Sequence, residues 1–561
     1  MDIKRLQFRS TSWLITLLVS TYLLTVFNGS FFDKVRELHG IPGIDGWLYM
    51  ASLFVFLLVL FNLCLTLLAL PGLLKPTLIF LLVASSVACY FMDTYNILID
   101  KTMIQNTMET DVKESWELLS VNLLAFVGMT GVIPALLVWR TTISYGSPLK
   151  FVFGKLLVGA VSIAAVGIVA LLFYQDYASL FRNNRYVRDL IVPVNYIHSV
   201  NSYAKQFLPH NVPDFKTVGM DAQLGKSWNF TANKKVVTVL VVGETARSAN
   251  FSLYDYARET NPKLKQQNII AFDRVASCGT STAVSLPCMF SNSGRNDYND
   301  IQARNSDNLL DVLQRAGLEV VWIDNNSGCK GVCDRIENIE ITAADNPDFC
   351  EDGDCHDMVL LHMLEQAIEN SDRDTVIVMH QSGSHGPAYF LRTPEEFQTF
   401  KPFCHTNQLQ ECSQQEIINA YDNTILYTDH VLSSVINYLE SKQHLVDASM
   451  LYVSDHGESL GENNLYLHGL PYLLAPEEQT HVPMVLWLGN DFAQRFSIDK
   501  GCLQGMEQDN LSHDNLFDSM LGMLDVKTAI YRKENDIFSR CHLNTGDSIA
   551  MTQKQNEKDA Q

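Results

Sequence analysis

The sequence predicts two parts in series: an N-terminal bundle of five transmembrane helices, then a C-terminal α/β domain with a mostly parallel central sheet. Three observations predict this. Long uncharged apolar runs are confined to the first third of the 561 residues. Beyond them, short β-branched runs alternate with periodic helical segments, the pattern of strands linked by helices. Four of those short runs end in acidic, imidazole or hydroxyl side chains.

Five stretches approach the roughly 20 apolar residues that a bilayer crossing requires. They are Ser10–Phe32, Gly46–Leu74, Pro76–Met92, Leu118–Trp139 and Leu156–Gln175. The third is the shortest, and a turn around Pro71–Pro76 separates it from the second. Lys4, Arg5 and Arg9 precede the first stretch as they would in a signal peptide, but four further spans follow, so it reads as a retained anchor. Tyr174–Tyr203 mixes apolar, basic and aromatic residues, as an interfacial helix would. The expected boundaries are 1–175 for the membrane domain, 176–233 for an interfacial helix and linker, 234–547 for the soluble domain and 548–561 for a disordered tail.

An odd number of spans puts the termini on opposite sides. With the N-terminus inside, the inner segments hold Lys4, Arg5, Arg9, Lys75, Arg140, Lys150 and Lys155, and the outer loops hold Lys34, Arg36, Lys101 and Lys113. That bias favours an external soluble domain, although Arg182, Arg185 and Arg188 oppose it. Cysteine usage points the same way. Of 12 cysteines, Cys64 and Cys89 lie in apolar spans; the rest fall into close sequential pairs in the soluble part. The pairs Cys278–Cys288, Cys329–Cys333, Cys350–Cys355, Cys404–Cys412 and Cys502–Cys541 imply disulfides in an oxidising compartment, the periplasm or its equivalent. A zinc knuckle at Cys329–Cys333 lacks a second matching pair. The net charge of −21 disfavours a nucleic-acid partner, which would demand basic stripes.

The soluble part holds the runs VVTVLVV (236–242), LEVVWI (318–323), TVIVM (375–379), SMLYV (449–453) and VPMVLWL (482–488), with helical segments such as Asn308–Ala316, Asp357–Glu369 and Glu416–Ser441 between them. Continuous apolar runs of this length suit a buried, largely parallel sheet. The first four lead into Gly243-Glu244-Thr245, Asp324-Asn325-Asn326, His380 to His385, and Ser454-Asp455-His456-Gly457-Glu458. In open α/β sheets, sites form beyond the carboxyl ends of the strands. Glu244, Asp455 and His456 would supply two carboxylates and an imidazole, a set suited to zinc with one position left open. The plainer readings are a carboxylate at a helix N-terminus and an Asp-centred turn. The segment CGTSTAVSLPC (278–288) brackets Thr280, Ser281 and Thr282 between two cysteines. A hydroxyl is a poor nucleophile until a base or a metal activates it, and such a cluster alone is more often a helix cap.

The segments VLVVGETARSANFSLYDYARETNP, CGTSTAVSLPCMFS, DNNSGCKGVC, HQSGSHGPAY and YVSDHGESLGENNLYLHG together resemble the lipid A phosphoethanolamine transferases, the polymyxin-resistance type of the alkaline phosphatase/sulfatase superfamily. The resemblance covers nearly the whole chain, five spans included. It implies an alkaline phosphatase-like fold for the soluble domain. It implies Thr282 as nucleophile and Glu244, Thr282, Asp455 and His456 as ligands of a tightly held Zn2+. It implies that His385 and His468 bind the phosphoryl group or a second Zn2+, and that Lys330 contacts phosphate. Asn106, Thr110 and Glu114, four residues apart and so on one helical face, read alone as a solvated loop helix. The resemblance implies instead that they bind the lipid headgroup.

The expected reaction is attack of Thr282 on phosphatidylethanolamine and transfer of phosphoethanolamine from the threonine to a lipid A phosphate, lowering susceptibility to polymyxins and other cationic peptides. His385 or His468 would protonate the leaving alkoxide. The expected partners are donor, acceptor and membrane lipids. The expected state is a monomer, multi-pass in the bacterial inner membrane with the catalytic domain in the periplasm. The alternatives are the same chemistry on a lipopolysaccharide core sugar or a periplasmic glucan, glycerol-phosphate polymerisation, or a non-catalytic sensor with a structural metal. Structural zinc sites are closed and rich in Cys and His, unlike this residue set.

Overall fold

The computed structural model describes residues 8–39, 43–109, 118–208, 213–229, 234–351 and 354–543. Thr110, Glu114 and the tail 548–561 lie outside the described residues. The chain divides into two compact units, Met1–Ile104 with Leu119–Lys205, and Gln105–Leu118 with Gln206–Gln561. The second unit is therefore discontinuous in sequence.

In the first unit, Gly46–Leu67, Leu74–Tyr95, Val121–Arg140 and Pro148–Phe173 are long and apolar enough to cross a membrane. The expected first span is not one rod. Ser12–Val26 and Gly29–Leu38 meet at 59°, and only as a bent pair do they make a fifth span. The cause is Asn28, buried at the break. Its Nδ2 donates to the carbonyls of Leu23 and Val192, both at 2.9 Å, and its Oδ1 accepts the Val192 N–H at 3.0 Å. A buried amide in an apolar run is tolerated because every group finds a partner. The expected interfacial helix is also interrupted. The last apolar helix runs on to Asn183 with a kink at Phe173, a 3-10 turn covers Arg185–Leu190, and a separate helix spans Val194–Lys205. Pro193 offers no N–H to continue a helix and stands at the head of a new one.

In the second unit an eight-stranded sheet is the frame. Its strands are β1 (Lys235–Gly243), β2 (Ile269–Ala276), β3 (Glu319–Asp324), β4 (Glu337–Glu340), β5 (Thr375–His380), β6 (Val446–Ser454), β7 (His481–Leu488) and β8 (Leu511–Ser512), in the order β8-β2-β7-β6-β1-β5-β3-β4. The sheet is mixed. β6, β1, β5, β3 and β4 run parallel, as do β2 and β8, but β7 runs antiparallel to both β6 and β2. The expectation of a mostly parallel sheet missed β7, the one apolar run without a chemically capable end.

Alternation along β1 shows why the strands read as continuous apolar runs. Val236, Leu240 and Val242 pack on one face with helices Leu309–Ala316 and Leu516–Met523. Val237, Val239 and Val241 pack on the other with Met358–Asn370 and Gln414–Ser441. Both faces are covered, so no position needs a polar residue. Each fully buried Val or Leu contributes roughly 1.5–3 kcal/mol. The long helix starts sharply because Ser413 and Glu416 cap each other's backbone N–H groups.

Five disulfides join Cys278 to Cys288, Cys329 to Cys333, Cys350 to Cys355, Cys404 to Cys412 and Cys502 to Cys541. Cys64 and Cys89 are free.

Candidate active site

Register aligns the carboxyl ends of the four central strands. Ser454 pairs with Gly243 in the parallel ladder of β6 and β1, and His380 pairs with Val242 of β1 and Asp324 of β3. The residues that follow are delivered to one edge of the sheet. Glu244, Asp455 and His456 gather there, fully buried, with ligand atoms all within 4.8 Å of one another.

The backbone around them is held tightly. Thr245 has φ +58°, an unfavourable region for a β-branched residue. Its N–H donates to Asp455 Oδ1 at 3.1 Å and its carbonyl accepts the Tyr421 hydroxyl at 2.8 Å. Gly383, at φ +56°, passes so close that a Cβ would sit 2.6 Å from the Glu244 carbonyl oxygen, so no other residue fits there.

The nucleophile candidate sits over this cluster. Thr282 opens the helix Thr282–Met289, and its Oγ1 lies 3.1 Å and 3.3 Å from the Glu244 oxygens and 3.3 Å from His456 Nε2. His456 Nδ1 donates to the Gly457 carbonyl at 2.9 Å, which leaves Nε2 as the bare nitrogen facing the cluster. Asp455 Oδ1 accepts the His456 N–H at 2.7 Å, whereas its Oδ2 is buried without a hydrogen-bond partner among the described residues. Two carboxylates, a bare imidazole nitrogen and an orphaned buried oxygen fit a divalent cation. Burial raises the Asp455 carboxyl well above the usual range, reinforced by the Glu244 charge. Burial opposes ionisation of Glu244 too, yet its carboxyl is held below the usual range, with the Thr245 hydroxyl donating to it. Two carboxylates this close cannot both stay charged without a compensating cation.

Thr282, His385, His468 and Lys330 line one pocket together with Asn106, Glu109, Ser281 and Ser327. Sequence expectation had named His385, His468, Lys330 and Asn106 for this place. His468 Nδ1 lies 2.8 Å from Glu458 Oε2, and the other oxygen of Glu458 accepts the Tyr389 hydroxyl at 2.5 Å. Burial works against a charged His468, but Glu458 prevails and raises it to about 9. His385, with rings 5.7 Å apart from His468, is driven down to about 3 by burial. One imidazole thus holds its proton at neutral pH and the other does not. Lys330 Nζ donates to the carbonyls of Ser327 (2.7 Å) and Glu109 (3.1 Å) and to Ser327 Oγ (3.0 Å). Among the described residues these are neutral acceptors, so its charge is not cancelled.

Sequence reasoning missed several contributors. Asn326 Nδ2 donates to Glu244 Oε2 at 2.9 Å and to the Gln381 carbonyl at 2.8 Å. His380 Nδ1 lies 3.1 Å from Asp324 Oδ2, which also accepts the Trp322 indole N–H at 2.7 Å. Both lie in the strand ends already singled out, so position could have found them. Glu109 is paired with Arg304 at 2.9 Å, and nothing local marks it.

Residues 237–526 match the family model described as sulfatase. Residues 57–208 match the one described as phosphoethanolamine transferase EptA/EptB. The chain is 41% identical over 541 residues to phosphoethanolamine transferase EptA of Escherichia coli (strain K12), covering 96% of this chain and 98% of that protein. It is 36% identical over 533 residues to phosphatidylethanolamine transferase Mcr-1 of Escherichia coli, covering 93% and 96%. Among solved structures, the integral membrane protein lipooligosaccharide phosphoethanolamine transferase A (EptA) from Neisseria meningitidis is similar with a TM-score of 0.91 and 39% identity, over 96% of this chain and 100% of that one.

Proposed function

The chain belongs to the phosphoethanolamine transferase family of the sulfatase superfamily, and from that premise we propose that it moves phosphoethanolamine from phosphatidylethanolamine to a lipid A phosphate through a covalent intermediate on Thr282. The observation that carries this reading is the Thr282 hydroxyl, held 3.1 Å from Glu244 Oε2 at the floor of a pocket with an imidazolium and an uncancelled lysine.

Glu244, Asp455, His456 and Thr282 Oγ1 would hold Zn2+. When bound, it supplies Lewis-acid polarisation of the phosphoryl group and a lowered pKa for the hydroxyl. In the first half-reaction Thr282 Oγ forms a bond to phosphorus and its proton passes to the Glu244 carboxylate. The bond from phosphorus to the glycerol oxygen breaks, and His468 protonates the departing alkoxide, so diacylglycerol leaves neutral. Lys330 faces the phosphoryl oxygens and offsets their charge. In the second half a lipid A phosphate oxygen attacks the same phosphorus and gives its proton to His468. Thr282 leaves with the proton from Glu244, and both groups return to their starting state. Asn106 meets the headgroup from the pocket rim.

The product carries an ammonium where the membrane surface had bare phosphate charge, which weakens attraction for polymyxins. The chain is a membrane protein with a soluble domain. The disulfides support an oxidising side, so we assign it to the bacterial inner membrane with this domain in the periplasm.

The test is to give purified full-length protein in lipid vesicles a labelled phosphatidylethanolamine with lipid A, lipopolysaccharide core and glucan as competing acceptors, then measure label on Thr282 and on each acceptor by mass spectrometry. Label on Thr282 and on lipid A is expected. Label retained on the protein in Thr282→Ala would overturn the nucleophile assignment. Transfer only to core sugars or glucans would overturn the acceptor.

A further inference from the structure

The loop closed by Cys278–Cys288 carries four hydroxyl side chains, and the structure gives three of them evident work. Thr280 Oγ1 donates to the Leu470 carbonyl at 2.7 Å, while its own carbonyl accepts the Gly469 N–H at 2.8 Å. Thr282 faces Glu244 and His456. Ser285 Oγ donates to the Asp455 carbonyl at 2.5 Å. Ser281 differs. It is 1% exposed and its Oγ has no hydrogen-bond partner among the described residues, yet it lines the pocket of Thr282, Lys330, His385 and His468.

Its position sharpens the contrast. Ser281 is the N-cap of the helix Thr282–Met289, where a serine ordinarily accepts a backbone N–H from the first turn. This one makes no side-chain capping bond. The turn is closed instead by its carbonyl, which accepts from Val284 N at 3.1 Å and Ser285 N at 2.8 Å. A buried hydroxyl left without a partner costs roughly 1–3 kcal/mol, and alanine would remove that cost with little change in volume. A buried donor in the lining of a pocket, left unsatisfied by the protein, is available to what the pocket binds.

We propose that Ser281 Oγ donates a hydrogen bond to a non-bridging oxygen of the phosphoryl group under transfer, as a catalytic residue beside the nucleophile. This rests on the reading of Thr282 as the residue that carries phosphoethanolamine. Being next in the chain to Thr282, Ser281 moves with the nucleophile and meets the same phosphorus in both half-reactions. The helix N-terminus at this point adds a field that favours negative charge on that oxygen. The bond strengthens as charge builds on the oxygen in the transition state, so its effect falls on turnover more than on binding.

The test uses full-length protein in vesicles and two donors, phosphatidylethanolamine and its phosphorothioate analogue, in which sulfur replaces one non-bridging oxygen. Sulfur accepts hydrogen bonds poorly, so the wild type should be slowed on one of the two diastereomers. Ser281→Ala should lower the rate of Thr282 labelling by the oxygen donor about 100-fold, with KM nearly unchanged, and should lose most of that diastereomer's penalty. Ser281→Thr keeps a hydroxyl and should keep the penalty, which guards against a folding defect. Metal content should match wild type in both, and Ser281→Ala should unfold no earlier than wild type, since it loses an unpartnered buried hydroxyl. Labelling by Ser281→Ala at the wild-type rate, or an undiminished sulfur penalty, would overturn the donor role and leave the Thr282 reading intact. Labelling that survives Thr282→Ala and vanishes in Ser281→Ala would overturn both and make Ser281 the nucleophile.

Discussion

His513 Nδ1 accepts the backbone N–H of Cys278 at 3.0 Å. The same ring donates from Nε2 to the Ser454 carbonyl at 2.9 Å. One buried imidazole thus ties the Thr282 loop to the strand end that carries Asp455 and His456. The geometry demands the neutral tautomer with the proton on Nε2, because a second proton on Nδ1 would face the Cys278 N–H.

A pH effect follows. Burial drives His513 down to about 4, below the ordinary value near 6.5. A depressed folded-state pKa means that its contribution is complete above pH 6.5 and is lost as the pH falls through 4. Thermal unfolding should therefore show a decline in Tm across that window, amounting to at most about 3 kcal/mol. His513→Asn, which keeps an acceptor but does not titrate there, should lack that part of the decline. An identical pH profile in the variant would refute the assignment.

Asp455→Asn should decouple stability from metal. In the wild type, chelation leaves two adjacent buried carboxylates uncompensated, so Tm should drop on chelation. In Asp455→Asn the drop should nearly vanish, the metal content should fall, and the chelated variant should be more stable than the chelated wild type. Scanning calorimetry with and without chelator, together with metal analysis, measures all three.

Disulfide removal should separate stability from activity. Cys502–Cys541 closes 39 residues and Cys278–Cys288 closes 10. Chain entropy assigns these about 4 and about 3 kcal/mol. Replacing the first pair by serines should lower stability more and leave turnover per folded molecule near wild type. Replacing the second should lower turnover sharply, because it holds the loop of Thr282. Denaturant unfolding paired with the labelling assay distinguishes the two.

Asn28→Ala should destabilise the first unit by about 2 kcal/mol or more, since the Val192 N–H and two carbonyls lose their partner. Unfolding in detergent should reveal it, and Asn28→Asp, which turns a carboxylate towards two carbonyls, should destabilise at least as much.

The cluster of Glu244, Asp455 and His456 was legible because β-branched runs stop at Glu244 and Asp455, and parallel strands in register must bring such ends together. The apolar helices Leu74–Tyr95 and Val121–Arg140 were legible at 76–92 and 118–139 for a similar reason, since uncharged length alone marks them. Direction was not. VPMVLWL is as apolar as its neighbours, and no residue in it states that β7 runs the other way. The bend at Asn28 was hidden by apolar residues on both sides. His513 was invisible because its partners lie far away in sequence and the strand before it, Leu511–Ser512, is two residues long. Spacing alone could not choose among Thr280, Ser281 and Thr282, which differ only in what approaches them from other parts of the fold.

Residues 105–109 lie between two apolar helices in sequence yet belong to the soluble unit, where Asn106 and Glu109 line the pocket of Thr282. The gene therefore has no single crossover point that exchanges one intact unit for another. A hybrid joined near residue 206 inherits its pocket from two parents, with the rim from one and the floor from the other. The segment that recombination must keep together is the soluble domain plus a short stretch encoded about a hundred codons upstream.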